Sequence, residues 1–329
     1  LYRVGANSPI VNALIEAANQ GKQVTAIVEL KARFDEANNL KWAKRLEKAG
    51  AHVIYGIVGL KIHAKIALIV KQGQKGIQRY VHLATGNYNR STAKIYGDLS
   101  FFTANETIAN DATRFFHQIT GFSKHQPLDR LITAPDYMKP TILEMINKEK
   151  KAGTNGRIIA KVNALVDPDI ISALYKASSN GVKISLLVRG ICCLRPGVKE
   201  VSENIEVTSI VGKYLEHVRA FYFENSSPQL YFSSADWMPR NLVQRIEILT
   251  PIYDPDIAAS LQEYLDLQLS DNVQAQQLDK TGEYTKVENN LSPVNSQHLM
   301  EKYFTKAYDA LRKNQKINSN VTSKLLKGD

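Results

Sequence analysis

Apolar residues recur at three- and four-residue spacings through PIVNALIEAANQG (9–21) and again through PDIISALYKASSNG (168–181). Each run then gives way to a nearly unbroken apolar stretch, VTAIVEL and VKISLLV. The first spacing predicts a helix, and the second a strand covered on both faces, as in parallel or mixed sheets. Ser8 and Asp167 stand as N-caps before Pro9 and Pro168, and Gly21 and Gly181 stop the helices. At one constant offset Ile10 meets Ile170, Leu14 meets Leu174, Ala17 meets Ala177 and Val28 meets Val188. The chain therefore reads as an internal duplication of an α/β unit.

In the first half a second helix follows (NNLKWAKRLEKAG, ending at Gly50), then HVIYGIV, LKIHAKIALIV and IQRYVHLATGNYN as strands. The second half repeats this order as VTSIVGKY, LEHVRAFYF and QLYFSSADWMPRNL. The polar passage SKHQPLDRLITAP puts a boundary near residue 130, and PTILEMINKEKKAG, DPDIAASLQEYLDLQLSD and SQHLMEKYFTKAYDALRKNQ read as further helices. The expected organisation is two α/β domains, 1–130 and 131–316, each a mixed sheet flanked by helices, with a disordered tail at 317–329.

Composition narrows the partners. Lys and Arg exceed Asp and Glu by 42 to 32, a net charge of +10, which favours an anion such as nucleic acid, a phospholipid headgroup, a nucleotide or polyphosphate. No apolar run approaches a membrane span and no signal peptide is visible. The vicinal Cys192 and Cys193 offer no disulfide framework, so they are expected in the core of a protein from a reducing, cytosolic compartment. The chain opens at Leu1, without Met, on a loop that leads directly into a helix, and is expected to be a fragment.

Two short arrangements carry the candidate chemistry: His63-Ala64-Lys65 in LKIHAKIALIV and His217-Val218-Arg219 in LEHVRAFYF. In a continuous strand, alternation would put Lys61, His63 and Lys65 on one face, a nucleophile beside a phosphate clamp. A single such pair is more simply a solvated basic strand face. Two pairs in matching halves suggest one site built by duplication. Thr85-Gly86-Asn87-Tyr88-Asn89 follows the first pair, where Gly86 would let the backbone approach an anion and the Asn87 and Asn89 amides would donate. Ser233-Ser234-Ala235-Asp236-Trp237, with Arg240, Asn241 and Arg245 beyond, makes a similar turn after the second pair. Arg33 and Arg189 lie at or just past the ends of the duplicated first strands, the edge where open α/β sheets bind ligands.

These motifs resemble the phospholipase D-like superfamily, whose two His-x-Lys motifs meet in one site where a histidine attacks phosphorus. The phosphodiesterases of that superfamily carry Asp five residues after the lysine, where this chain has Val70 and Glu224, and the second cation is Arg219. The blocks YRVGANSPI, IVELKARFDE, GLKIHAKIALI, TGNYNRSTAKIYGDLS, SLLVRG, YLEHVRAF and YFSSADWMPRN, in order along nearly the whole chain, more closely resemble the two C-terminal domains of bacterial polyphosphate kinases of the histidine-phosphorylating type. An N-terminal and a head domain precede these blocks in that family.

The resemblance implies reversible transfer of the ATP terminal phosphate to inorganic polyphosphate through phosphohistidine at His63, with His217 as its acid-base partner and His82 as a supporting histidine. Lys65 and Arg219 would clamp the transferring phosphate. Arg3, Arg33, Tyr96 and Arg189 would contact the nucleotide or its phosphates, Arg3 and Arg33 holding oxygens that carry Mg²⁺, because guanidinium cannot itself ligate a cation. The expected partners are ATP, ADP and polyphosphate, not nucleic acid, since aromatic residues make up 8% of the chain and fall largely in apolar patterns. A homo-oligomeric whole protein in the cytoplasm, with peripheral association at the inner face of the membrane, completes the expectation. The alternatives are a phospholipase D-like phosphodiesterase and a non-catalytic polyanion-binding fragment.

Overall fold

The structure, a computed structural model, describes residues 1–5, 7–32, 35–57, 59–74, 76–121 and 123–312; Arg33 and the expected tail at 317–329 lie outside them. Both halves of the duplication fold as their patterns predict. Helix Pro9–Asn19 begins where Ser8 Oγ accepts the Val11 N–H at 3.3 Å, and helix Pro168–Ser178 where the Asp167 carboxylate accepts from Asp169 and Ile170. Each proline sits in the first turn, where its missing N–H would have had no partner in the helix. Gly21 and Gly181 follow with φ of +79° and +89°, the left-handed stop that glycine takes without strain.

Two compact units result, both α/β with sheets flanked by helices. The first comprises Leu1–Thr141 with Ser233–Thr250. In it Thr25–Val28 pairs in parallel with His52–Tyr55, and helices Pro9–Asn19 and Glu36–Lys48 pack over a core of Val11, Ala26, Trp42, Leu46 and Ala51. A separate antiparallel sheet joins Ile66–Gly73, Gly76–Ala84 and Ser100–Thr103 and carries helix Glu106–Ile119 on one face, through Ile108, Ala112 and Phe115. Strand Arg245–Ile252 enters this unit from late in the sequence, pairing in parallel with Lys61–Ile62 and antiparallel with Ile132–Ala134.

The second unit comprises Ile142–Phe232 and the described residues from Pro251 onward. Its sheet centres on the parallel strands Arg157–Val162, Lys183–Val188 and Ile205–Ile210. Ala275–Leu278 and Tyr284–Lys286 extend it antiparallel on one side, and Ala220–Phe223 and Leu230–Ser233 on the other. Helices Pro168–Ser178 and Pro255–Leu269 pack on Lys183–Val188, burying Leu174, Leu186 and Leu265.

Two local expectations are corrected. Cys193 is exposed and Cys192 only half-buried, because both follow the end of strand Lys183–Val188 instead of lying within it. Both His-x-cation segments also interrupt their strands, which breaks the expected alternation. No helix among the described residues is long and apolar enough to cross a membrane.

Candidate active site

Strand Lys61–Ile62 stops at the histidine that follows it. The N–H groups of His63 and Ala64 both reach the Ile246 carbonyl, each at 2.9 Å. Two consecutive donors on one acceptor interrupt the ladder as a β-bulge does, and they re-aim the side chains. His63, Ala64 and Lys65 are accordingly all buried, where a regular strand would have turned one of them to the other face. Just before the break, the Ile62 N–H donates to Glu29 Oε2 at 3.0 Å, so a buried carboxylate secures the approach to the histidine. The Lys65 ammonium folds back onto the His63 carbonyl.

One edge of the imidazole is held by a carboxylate. Its Nδ1 lies 2.9 Å from both carboxylate oxygens of Glu247, which is fully buried. Glu247 also accepts from Ser234 Oγ at 2.5 Å and from Asn241 Nδ2 at 2.6 Å. A buried carboxylate requires such donors, and as an ionised group it only accepts. With Glu247 ionised, Nδ1 carries the proton and Nε2 keeps its lone pair, the tautomer of a nucleophilic imidazole.

The second segment also falls in a break, between strands Leu215–Glu216 and Ala220–Phe223, but its chemistry differs. The Arg219 guanidinium lies 3.2 Å from His217 Nε2 and donates to the His217 carbonyl at 2.9 Å. Guanidinium only donates, so Nε2 of His217 is the acceptor and its proton belongs on Nδ1. The preceding residue, Glu216, is buried among Lys161 Nζ at 2.9 Å, Gln297 Nε2 at 2.7 Å and the Tyr264 hydroxyl at 3.3 Å. Lys161 donates further to Gln268 Oε1 at 2.8 Å. Burial lowers the Lys161 pKa, Glu216 opposes that shift, and the nearby Arg189 charge adds to it. Arg189 thus lies within electrostatic reach of this network.

The remaining predicted residues fall in varied settings. Arg3 is half-buried, its guanidinium 5.2 Å from the centre of the Tyr2 ring, and Tyr96 is half-buried in the short strand Tyr96–Gly97. The close approach that Gly86 permits is to an acid: a Cβ there would stand 2.3 Å from Asp98 Oδ2, and Asp98 also accepts from Thr85 Oγ1 at 2.8 Å. Asn89 Oδ1 builds the turn by accepting from the Ser91 and Thr92 N–H groups. Asn87 Oδ1 is buried without a hydrogen-bond partner among the described residues. His82 is half-buried, with Nδ1 2.8 Å from the Tyr88 hydroxyl and its ring 4.4 Å from that of Phe102. It lines an apolar groove of about 300 Å³ with Ile69, Tyr80 and Phe102. Burial lowers the pKa of His82 and holds the Tyr88 phenol protonated, so that Tyr88 donates to Nδ1.

At the two positions five residues past the cations, Val70 is 59% exposed on a strand and Glu224 accepts from the Tyr222 hydroxyl at 2.5 Å. Sequence patterns did not single out Glu247 or Glu29. The usable signal was a lone acid in an otherwise apolar strand run, RIEILTPI and TAIVEL, since a buried charge needs a partner. Ser234 and Asn241, grouped by sequence with the second half, bond to the carboxylate that faces His63.

Comparison with known proteins agrees along the chain. Residues 1–125 match the family described as polyphosphate kinase C-terminal domain 1, and residues 131–297 match polyphosphate kinase C-terminal domain 2. A polyphosphate kinase of Campylobacter jejuni subsp. doylei is 56% identical over 330 residues, covering 99% of this chain and 47% of the relative. Polyphosphate kinase 1 of Chlorobaculum tepidum is 53% identical over 306 residues, covering 92% and 44%. The crystal structure of polyphosphate kinase from Porphyromonas gingivalis superposes with a TM-score of 0.85 at 39% identity, covering 94% of this chain and 48% of that one. The chain spans about half the length of the curated relatives it matches.

Proposed function

This chain belongs to the polyphosphate kinase family, and from that we propose that the whole protein moves the terminal phosphate of ATP reversibly onto inorganic polyphosphate through a phosphohistidine at His63. The observation that carries the reading is the Glu247 carboxylate on Nδ1 of His63. In the forward step Nε2 attacks the terminal phosphorus, the bond to the ADP oxygen breaks and a P–N bond forms. The Nδ1 proton stays in the bond to Glu247, whose negative charge offsets the positive charge developing on the ring. A terminal oxygen of polyphosphate then attacks the same phosphorus and the P–N bond breaks, restoring neutral imidazole. ATP binding and the reverse transfer to ADP use the same groups.

Phosphoryl transfer depends on positioning and on neutralising the equatorial oxygens, so Lys65, Arg219, Arg3, Arg33 and Arg189 are assigned as clamps, each worth on the order of 3 kcal/mol in the barrier. His217 serves as acid-base group at the nucleotide phosphates, His82 as a supporting histidine, and Tyr96 as a nucleotide contact. The Asn87 and Asn89 amides supply further donors to the phosphates in this reading. Among the described residues no three His, Cys, Asp or Glu side chains are grouped to hold a metal. Mg²⁺, which neutralises phosphate charge when bound, would thus take its oxygens chiefly from the phosphates that Arg3 and Arg33 hold, and from water. Residues 1–130 and 131–316 are the two catalytic domains in this reading. The resemblance alone supports a cytoplasmic homo-oligomer with peripheral membrane contact.

The test is incubation of the whole protein with γ-labelled ATP and Mg²⁺. Acid-labile, base-stable label on the protein, absent from His63→Ala, is the expected result; label that persists in His63→Ala overturns the assignment.

A further inference from the structure

We propose that Tyr2 is a positioning residue that fixes the His63 imidazole and the Lys65 and Arg3 cations in one array; this rests on the reading of His63 as the nucleophile. Tyr2 lies outside any helix or strand, yet it is only 8% exposed. Its ring meets three of the groups assigned to phosphate chemistry. The His63 ring stands perpendicular to it at 89°, with centroids 4.8 Å apart. Lys65 Nζ lies 5.4 Å from the ring centre and the Arg3 guanidinium 5.2 Å. Both cations fall within cation–π reach, and the perpendicular packing is a favoured aromatic geometry.

The ring's mount does not use Glu247. The Tyr2 carbonyl accepts from Asn39 Nδ2 at 2.6 Å, and the same buried amide donates to the Glu29 carbonyl at 2.9 Å. On one side the Leu1 carbonyl accepts the Glu29 N–H at 2.9 Å; on the other the Gly5 carbonyl accepts Trp42 Nε1 at 2.7 Å. Glu29, just past strand Thr25–Val28, and helix Glu36–Lys48 thus anchor residues 1–5 to the core.

Such an anchor adds a restraint different in kind from Glu247. A carboxylate at Nδ1 fixes one edge of the imidazole, but the torsion between Cβ and the ring is broad and needs a second restraint. A perpendicular ring supplies it and so directs Nε2. Each cation also lies within cation–π reach of the same ring that packs on the nucleophile. Misplacement of a reacting atom by about 1 Å costs on the order of 100-fold in rate, so the ring should act on chemistry more than on ATP affinity.

The experiment measures single-turnover phosphorylation of the whole protein by γ-labelled ATP, for wild type, Tyr2→Phe, Tyr2→Leu and His63→Ala, beside thermal unfolding of each. The expected result is a rate constant at saturating ATP that falls about 10- to 100-fold in Tyr2→Leu, while the half-saturating ATP concentration changes less than about threefold and Tyr2→Phe stays within about threefold of wild type. If Tyr2→Leu does not fold, Tyr2→Met, which keeps apolar volume without a ring, is measured in its place. The proposal is overturned if the folded ringless variant reacts at the wild-type rate, if its loss lies wholly in ATP affinity, or if Tyr2→Phe is as impaired as Tyr2→Leu. Label that survives His63→Ala overturns the underlying reading instead. Label lost in His63→Ala with a wild-type rate in the ringless variant overturns only the role of Tyr2.

Discussion

Glu247 sets both of its carboxylate oxygens 2.9 Å from Nδ1 of His63, a residue 184 positions earlier in the chain. The pair exists because strand Arg245–Ile252 lies in parallel beside Lys61–Ile62 and because Ser234 and Asn241 supply the donors that a buried carboxylate needs. Glu247→Gln keeps the shape but removes the charge and puts an amide against those donors. Phosphohistidine formation should slow by about 10³-fold, by analogy with the loss of a carboxylate behind a catalytic histidine, with little change in ATP affinity. Rapid-quench labelling at saturating ATP measures it, and a loss confined to ATP affinity would contradict the assigned role.

Much of this was legible in the sequence. The duplicated helix and strand announced themselves through periodicity, caps and Gly21 and Gly181, because those signals are local. What stayed hidden was long-range or two-sided. The polar turn at Ser233-Ser234 reads as belonging to the half it follows, and no periodicity tells which sheet Arg245–Ile252 will join. The faces of His63 and Lys65 were misjudged for a related reason, since the shared Ile246 carbonyl that breaks the alternation lies far away in sequence. Glycine at 86 was recognised as permitting a close approach, but the group that approaches, Asp98, could not be read from spacing.

Gly86→Ala tests that last point. A Cβ placed 2.3 Å from Asp98 Oδ2 forces the carboxylate away from Thr85, so the variant should unfold at lower denaturant, losing about 1–3 kcal/mol, the usual cost of overpacking. Unchanged stability with weakened phosphate affinity would contradict this and favour Gly86 as an anion cradle.

Lys161 and Glu216 form a buried ion pair beside His217, and removing one partner leaves the other charge without compensation. Lys161→Met should destabilise by about 3 kcal/mol, and Lys161→Met combined with Glu216→Gln by clearly less than the sum of the two single changes. A double-mutant cycle on urea midpoints measures the coupling; additive losses would mean that the pair contributes no coupling.

Burial lowers the pKa of His82 below its ordinary 6.5, so between that lower value and 6.5 the unfolded chain binds more protons at this site than the folded one. The sign follows: stability at this site is intact above about pH 6.5 and declines as pH falls toward the folded-state value. His82→Gln keeps an acceptor for Tyr88 but does not titrate. Its urea midpoint should therefore fall less than that of wild type between about pH 7 and pH 5.5, and equal slopes would contradict the prediction.

The account stands most directly on which ring nitrogen of His63 takes the phosphate. ³¹P NMR of the phosphorylated whole protein, denatured in alkali to preserve the P–N bond, separates the two phosphohistidine isomers. With Glu247 holding Nδ1, the account predicts the Nε2-phosphorylated isomer at His63. The Nδ1 isomer, or phosphate on another residue, would contradict it.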